Sequence, residues 1–348
     1  MEINETFVRT SKNYGINSFV VAENTFLPKN KIFNGFSTNF DGIVLHGKAI
    51  PLSPICTDSK IELENPNISL ELNIEKNYTS PIILNFDFSQ GDTLVDTIKI
   101  NVKDGVTAKF LITYTSNKNA YHNGFITFDC EKNSNIDCVL ICDLSYESDN
   151  FLNIENTLKE NSKLKFTIVD FAGKTSVSRF LTDITGNNAS SQLKMMYIGE
   201  KEGKIDLNFA QNIYGKNSYA LIKTIGALQG SSQKNFKGLI DFKKGASKSK
   251  GVEEELCLTL SKNAKSKALP LLCCGEEDVD GSHSSATGKI GDKELFYIMS
   301  RGLSKAEGLK LLLKAKFTKV LNDVFDENIK SQIYEKIDRK IINEDDRF

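Results

Sequence analysis

The sequence predicts a mainly β fold, a parallel β-solenoid followed by helices, on three observations. The first is a turn that recurs at a nearly fixed period. An Asn or Gly followed by another, usually small, residue stands at Asn77-Tyr78, Gly105-Val106, Asn133-Ser134, Asn161-Ser162, Asn188-Ala189, Asn217-Ser218 and Gly245-Ala246, at intervals of 28, 28, 28, 27, 29 and 28 residues. The second is the material between the turns. Runs such as Lys109 to Tyr114, Asp137 to Cys142 and Lys165 to Val169 are rich in β-branched and aromatic residues and too short for helices. The third is a change after about Ile290, where strand-like runs give way to helical spacing.

Each repeat divides in two. Further turns fall near mid-repeat, at Ser89 to Asp92, Asn117 to Asn119, Ser148 to Asn150, Gly173-Lys174 and Gly199 to Gly203. Two strands of four to six residues and two turns then make one coil. A single coil cannot bury its inward face, but stacked coils share a continuous core. Asn and Gly suit the corners because they tolerate left-handed backbone angles. The alternative, an antiparallel sandwich, would place turns every 8–12 residues without a long period. The organisation expected is a short N-terminal region over 1–55, a solenoid core over 56–290 and a helical cap over 291–348.

In the C-terminal part, Asp292 is the expected N-cap of a short helix that Gly302 stops. Ser304-Lys305-Ala306-Glu307 fits a capping box. The helix after it aligns Leu309, Leu312, Leu313, Phe317, Val320, Leu321 and Val324 on one face. A last helix from Asp326 carries Ile329, Ile333, Ile337 and Ile341 at four-residue spacing. These helices either shield the last coil or dock a partner.

Composition excludes several function classes. The 348 residues are 40% hydrophobic and 26% charged, enough for a folded core, with 44 basic and 45 acidic side chains and a net charge of -1. No clustered positive charge suits nucleic acid. No apolar run is long enough to span a membrane, and the start Met1-Glu2-Ile3-Asn4-Glu5 lacks a signal core. Seven cysteines without a CxxC pair point to reduced thiols in a cytoplasm and against a closed zinc site. No GxxxxGK[ST] loop is present to hold a nucleotide. His46 and His122 have no donors beside them in sequence and are expected at the surface; Cys130, Cys138, Cys142 and Cys257 are expected in the core.

The stretch from Leu269 to Gly302 carries a more specific signal. It contains Pro270-Leu271-Leu272-Cys273-Cys274, Glu277-Asp278-Val279, Ser282-His283-Ser284-Ser285-Ala286-Thr287-Gly288 and Leu295-Phe296-Tyr297-Ile298-Met299-Ser300-Arg301-Gly302. This segment resembles the C-terminal region of the SufB/SufD family of iron–sulfur cluster assembly scaffolds. The resemblance implies a right-handed parallel β-helix flanked by helices. It further implies a non-enzymatic protein that helps hold a transient iron–sulfur cluster where two scaffold subunits meet. The implied partners are a SufC-type ABC ATPase, a SufB-like chain or a second copy of this one, and a cysteine desulfurase as sulfur source. The SufB branch has a cysteine about 28 residues before the His and an acid just after it; those slots hold Glu255 and Ser284 here. That places the chain with the SufD branch or with the shortened scaffolds of minimal systems.

Iron takes imidazole, thiolate and carboxylate donors. Cys273, Cys274, Glu276, Glu277, Asp278, Asp280 and His283 fall within eleven residues. Adjacent residues on a strand face opposite ways, so one of the two cysteines at most enters a shared site. By the resemblance, His283 and Cys274 are the expected cluster ligands, placed in a turn and a strand respectively. Glu255 is a weaker candidate from its slot, and Glu277 and Asp278 are candidate metal donors. Phe296, Tyr297, Met299, Arg301, Leu309 and Leu313 are the expected ATPase-binding residues. The plainer alternatives are a structural His, a buried Cys and a solvated acidic turn. Two other functions compete: a β-helix carbohydrate-active enzyme, which would need paired catalytic groups in an open cleft, and a generic protein-interaction module.

Overall fold

The computed structural model describes residues 2–8, 15–20, 33–46 and 66–341. Cys56, Arg9, Thr10 and Tyr14 lie outside the described residues. Four short strands come first: β1 (Glu2–Ile3), β2 (Phe19–Val20), β3 (Phe36–Thr38) and β4 (Ile43–Leu45). The solenoid then alternates between two sheets. Its first coils use β5 (Ile68–Ile74), β6 (Ile82–Asp87), β7 (Thr93–Val102), β8 (Thr107–Thr115), β9 (Tyr121–Cys130) and β10 (Asn135–Asp143). The middle coils use β11 (Asp149–Leu158), β12 (Lys163–Asp170), β13 (Thr175–Ile184), β14 (Ser190–Gly199) and β15 (Lys204–Ile213). The last use β16 (Tyr219–Leu228), β17 (Gln233–Phe242), β18 (Ser249–Thr259), β19 (Lys265–Cys274) and β20 (Val279–Gly288).

From β5 on, odd strands form one sheet and even strands the other. Neighbours pair in parallel one repeat apart, as in Phe110↔Cys138↔Phe166. That pairing rules out the antiparallel sandwich. Most strands run eight to eleven residues, longer than the four to six expected. The expectation counted only the apolar centres, whereas polar residues at both ends of each strand stay in the ladder.

The corners form as the period implied. Asn133, Asn161, Asn188 and Asn217 adopt φ of 56°, 58°, 57° and 54°, and Gly105 and Gly245 also have positive φ. Asn161 Nδ2 donates to Asn133 Oδ1 at 3.0 Å, so the corners bond along the solenoid axis as well as through their backbones. Inside, Phe110, Phe128, Phe166, Phe180, Phe209 and Phe236 make a column of edge-on rings with centroids 5.3–6.3 Å apart. This arrangement adds ring electrostatics to area burial.

The interior also holds polar groups. His122 is not a surface group. It is fully buried, with Nε2 2.8 Å from Asp96 Oδ1 and Nδ1 2.7 Å from Asn150 Oδ1. Tyr114 stacks on its ring and donates to Asp96 Oδ2 at 3.1 Å. A Cβ at Gly124 would overlap the imidazole, so that glycine makes its room. Its partners lie on other strands, which is why no cluster was visible beside it in sequence. His46, by contrast, lies at the surface as expected, its side chain 36% exposed, and meets Glu71 at 3.2 Å.

The N-terminal segment lies on the outer face of the odd sheet. Asn4 donates to Asp206 Oδ1 at 2.6 Å over a buried Lys237–Asp206 ion pair, and Arg179 lies 4.1 Å from the Phe7 ring centroid. The helices are α1 (Asp292–Met299), α2 (Lys305–Leu321) and α3 (Glu327–Lys340). Ser304 and Glu307 form the expected capping box, and Asp326 caps α3. The N-cap of α1 is Gly291, not Asp292, which sits in the first turn and complements the helix dipole from there. Helices α2 and α3 bury Leu313, Phe317, Val320, Leu321, Ile333 and Ile337 against Val139, Val169, Met196, Ile198 and Ile225. They therefore flank the even sheet and do not lie over the last coil.

Asp170 provides a pH test of the interior. It is fully buried and accepts from Ser176 at 2.6 Å, and burial pushes its pKa up to about 6. A raised carboxyl pKa means that the folded state holds the proton longer than the unfolded state. The wild type therefore loses this contribution as pH rises from near 4 through about 6. Asp170→Asn should gain stability relative to wild type across that window, by about 3 kcal/mol at most. Urea unfolding of both proteins at several pH values checks this; parallel pH profiles would contradict it.

Candidate functional site at the open end of the solenoid

The two ends of the solenoid differ. At the N-terminal end β3 pairs antiparallel with β6 and β4 with β5, so both sheet edges are occupied. Phe33, Phe36 and Phe40 pack on the core there. At the other end β19 and β20 are the outermost strands, with no further strand among the described residues. The strands change in burial accordingly: β19 is largely half-buried and β20 largely exposed.

Side-chain alternation defines what this end displays. In β18, Gly251, Glu253, Glu255 and Cys257 are buried and face the lumen. Their partners in β20 are Gly281, His283, Ser285 and Thr287. Those four belong to the inner face of the last coil, and no further coil among the described residues covers them. Thr287 Oγ1 lies 3.1 Å from Ser266 Oγ across that coil. His283 stands in the middle of a strand rather than in a turn.

Beneath His283 lies Glu253, its register partner, 1% exposed. Neither carboxyl oxygen meets a hydrogen-bond partner of good geometry. Burial pushes its pKa up to about 8; the nearby Leu271 N–H offsets part of the rise and the Glu255 charge adds to it. A Cβ at Gly238 would overlap this carboxyl, so the glycine gives it room.

Glu255 is committed. Its Oε1 takes the buried Lys234 ammonium at 2.5 Å and its Oε2 accepts from Ser285 at 2.6 Å. Lys234 also donates to the Lys267 carbonyl at 3.3 Å. Cys274 ends β19, exposed, in register with the core residue Phe242. Cys273 faces the other way, packs near Leu239 and Phe7, and has its thiol pKa raised by burial. Glu277 and Asp278 lie exposed in the following turn.

The seven donors close in sequence are not one cluster in space. His283 is four residues along β20 from Val279, roughly 13 Å at the rise of a strand. Among the described residues no three His, Cys, Asp or Glu side chains gather to hold a metal. The fold brings His283 together with Glu253, Glu255, Lys234 and Ser285, and leaves Cys274, Glu277 and Asp278 at the rim. Sequence reading missed Glu253. Its alternation with Cys257 and its offset of thirty residues from His283 were the available signals.

A second surface adjoins the first. Helix α1 buries no residue, and Phe296, Tyr297, Met299 and Leu311 are 73%, 56%, 42% and 47% exposed. Arg301 lies over the Tyr297 ring and donates to its hydroxyl at 3.1 Å. Leu309 is half-buried and Leu313 fully buried, so Leu313 anchors α2 to the sheet and is not available to a partner. A groove of about 740 Å³, lined by Leu256, Leu258, Ile290 and Lys316 among others, separates α1 from the last coils. No helix among the described residues is long and apolar enough to cross a membrane.

Residues 86–316 match the family described as SUF system FeS cluster assembly, SufBD core domain. Similar proteins include the iron–sulfur cluster assembly protein SufD of Bacillus subtilis, 29% identical over 183 residues, 52% of this chain and 41% of the relative. The SufBD family protein PH1385 of Pyrococcus horikoshii is 27% identical over 247 residues, 62% of this chain and 54% of the relative. SufD of Escherichia coli is 26% identical over 162 residues, 46% and 38% of the two chains. The chain thus spans about half or less of the length of these relatives. The match runs from the end of β6 through β20 and continues into α2, and on that extent the chain belongs to the SufB/SufD family of SUF-system iron–sulfur cluster assembly proteins.

Proposed function

We propose that the chain is a non-enzymatic scaffold subunit that helps hold a nascent iron–sulfur cluster, its cargo, at a subunit interface built on the last coil. The observation that carries this reading is the asymmetry of the solenoid: one end is closed by antiparallel strands and the other displays His283 on an uncovered inner face. Uncovered strand edges favour pairing with another chain. The occupant is a SufB-like chain or a second copy of this one. Either supplies donors that one chain lacks, which suits a cluster that must later leave.

The exposed apolar side chains of α1, with Leu311 of α2, are the surface for a SufC-type ABC ATPase. Nucleotide binding and hydrolysis belong to that partner, and sulfide comes from a cysteine desulfurase. The unpaired cysteines Cys130, Cys138, Cys142 and Cys257 are buried, in keeping with a reducing cytoplasm. A carbohydrate-active site finds no support at the open end, because Glu255 is held by Lys234 and Glu253 is buried.

Two experiments test this reading. Phe296→Asp with Leu311→Glu alters only exposed positions, so thermal stability should stay near wild type while co-purification with the ATPase falls by about tenfold or more. Undiminished binding would remove α1 and α2 as the docking surface. For the cargo, the complex should be reconstituted anaerobically with His283→Ala and with Cys274→Ser, and iron and acid-labile sulfide measured. His283→Ala should lose most of the cluster. Cys274→Ser should lose a smaller share, since Cys274 stands at the rim. Wild-type cluster content in both variants would make these residues structural and would leave the family membership untouched.

A further inference from the structure

We propose that Glu253 is a second iron donor, forming with His283 a two-residue half-site in the lumen of the last coil. This rests on the reading of the open end as the place where iron is held.

Glu253 and His283 are register partners on neighbouring parallel strands and share the lumen face. Adjacent strands lie about 4.8 Å apart, so the two side chains start within one metal-binding span of each other. His283 is exposed and free to reorient, whereas Glu253 is fixed one coil deeper.

The Glu253 carboxyl is otherwise unexplained. A buried acid without a partner is costly, and proteins retain such groups where a cation or a protein donor meets them. The other buried acid on this strand has both: Glu255 pairs with Lys234 and accepts from Ser285. Glu253 lies two residues away with no cation beside it, and the nearby Leu271 N–H falls short of good hydrogen-bond geometry. The space it occupies is kept open. Across the lumen stands Gly238, where any side chain would displace the carboxyl, and the register partner of Gly238 in the last coil is Pro270.

Imidazole with carboxylate suits ferrous iron, and two donors leave most of the coordination sphere to sulfide and to the partner chain. If the partner is a second copy, two-fold symmetry doubles the set to two imidazoles and two carboxylates. Lys234 neutralises Glu255 and so limits the negative charge beside the site.

The test compares wild type, Glu253→Gln and His283→Ala, each purified anaerobically with its partner subunit and the ATPase. Iron content is measured in the complexes, and Fe2+ alone is titrated into each full-length chain. Glu253→Gln should keep both partners yet lose iron several-fold, and its Fe2+ affinity should fall on the order of tenfold or more. The double variant should lose little beyond His283→Ala, because both residues serve one site. Iron at the wild-type level in the Glu253→Gln complex, with His283→Ala depleted, overturns Glu253 as a donor and leaves the scaffold reading standing. A wild-type complex that carries no iron overturns both. Should Glu253→Gln fail to fold, Gly238→Ala carries the same test, since it retains both donors and crowds the carboxyl out of its position.

Discussion

The structure depends on one constraint: the inner face of a coil can be buried only by the next coil. Each 28-residue unit is too small to hold a core alone, and the phenylalanine column gains its burial from the units above and below. The constraint has no solution internal to the stack at its two ends. At one end the chain folds β3 and β4 back as antiparallel strands and covers the edge with aromatic side chains. At the other it leaves β19 half-buried and β20 exposed and sends the following helices along the flank. What the last coil carries on its inner face is therefore presented outward by construction.

The buried polar groups follow from the same stacking. His122 with Asp96 and Lys234 with Glu255 each join strands of different coils or different sheets. A slip of one residue in strand register would turn these charges to the wrong face and strand apolar residues outside. Desolvation makes such pairs poor sources of net stability. Their placement nevertheless penalises misregistered stacking, which a repetitive sequence would otherwise permit.

Much of this was legible in the sequence, because a solenoid writes its period into the chain. The Asn and Gly corners were read from spacing alone, and the capping box at Ser304 and the cap at Asp326 from local chemistry. Three things were not legible. Strand length was underread because polar residues within a ladder look like turn. The environment of His122 was invisible because Asp96 and Asn150 lie one coil away on either side. The donor cluster was misread in space because closeness along an extended strand is not closeness in three dimensions. His283 was recognised from its motif, but its companion Glu253 becomes apparent only when the alternation of β18 is laid against β20.

The position of α1 joins the two candidate surfaces mechanically. The strand that carries His283 ends at Gly288, and α1 begins at Asp292. A partner that seats on Phe296 and Tyr297 is thus linked to β20 through Lys289, Ile290 and Gly291, and to α2 through Leu295 and Ile298, which pack beside Gly308. Strand β20 is also the more exposed of the two strands of the last coil, with its inner face free, although both have a neighbour on one edge only. Its ties to the layer beneath include the ladder with β18, the Ser285–Glu255 hydrogen bond, the Lys250–Asp280 ion pair and the Thr259–Gly288 hydrogen bond. Force applied at α1 therefore reaches both β20 and α2, while the buried faces of α2 and α3 hold the rest of the even sheet in place. In the proposed scaffold, the docking surface on α1 and the strand that carries His283 are therefore consecutive in the chain, joined by the short link from Lys289 to Gly291.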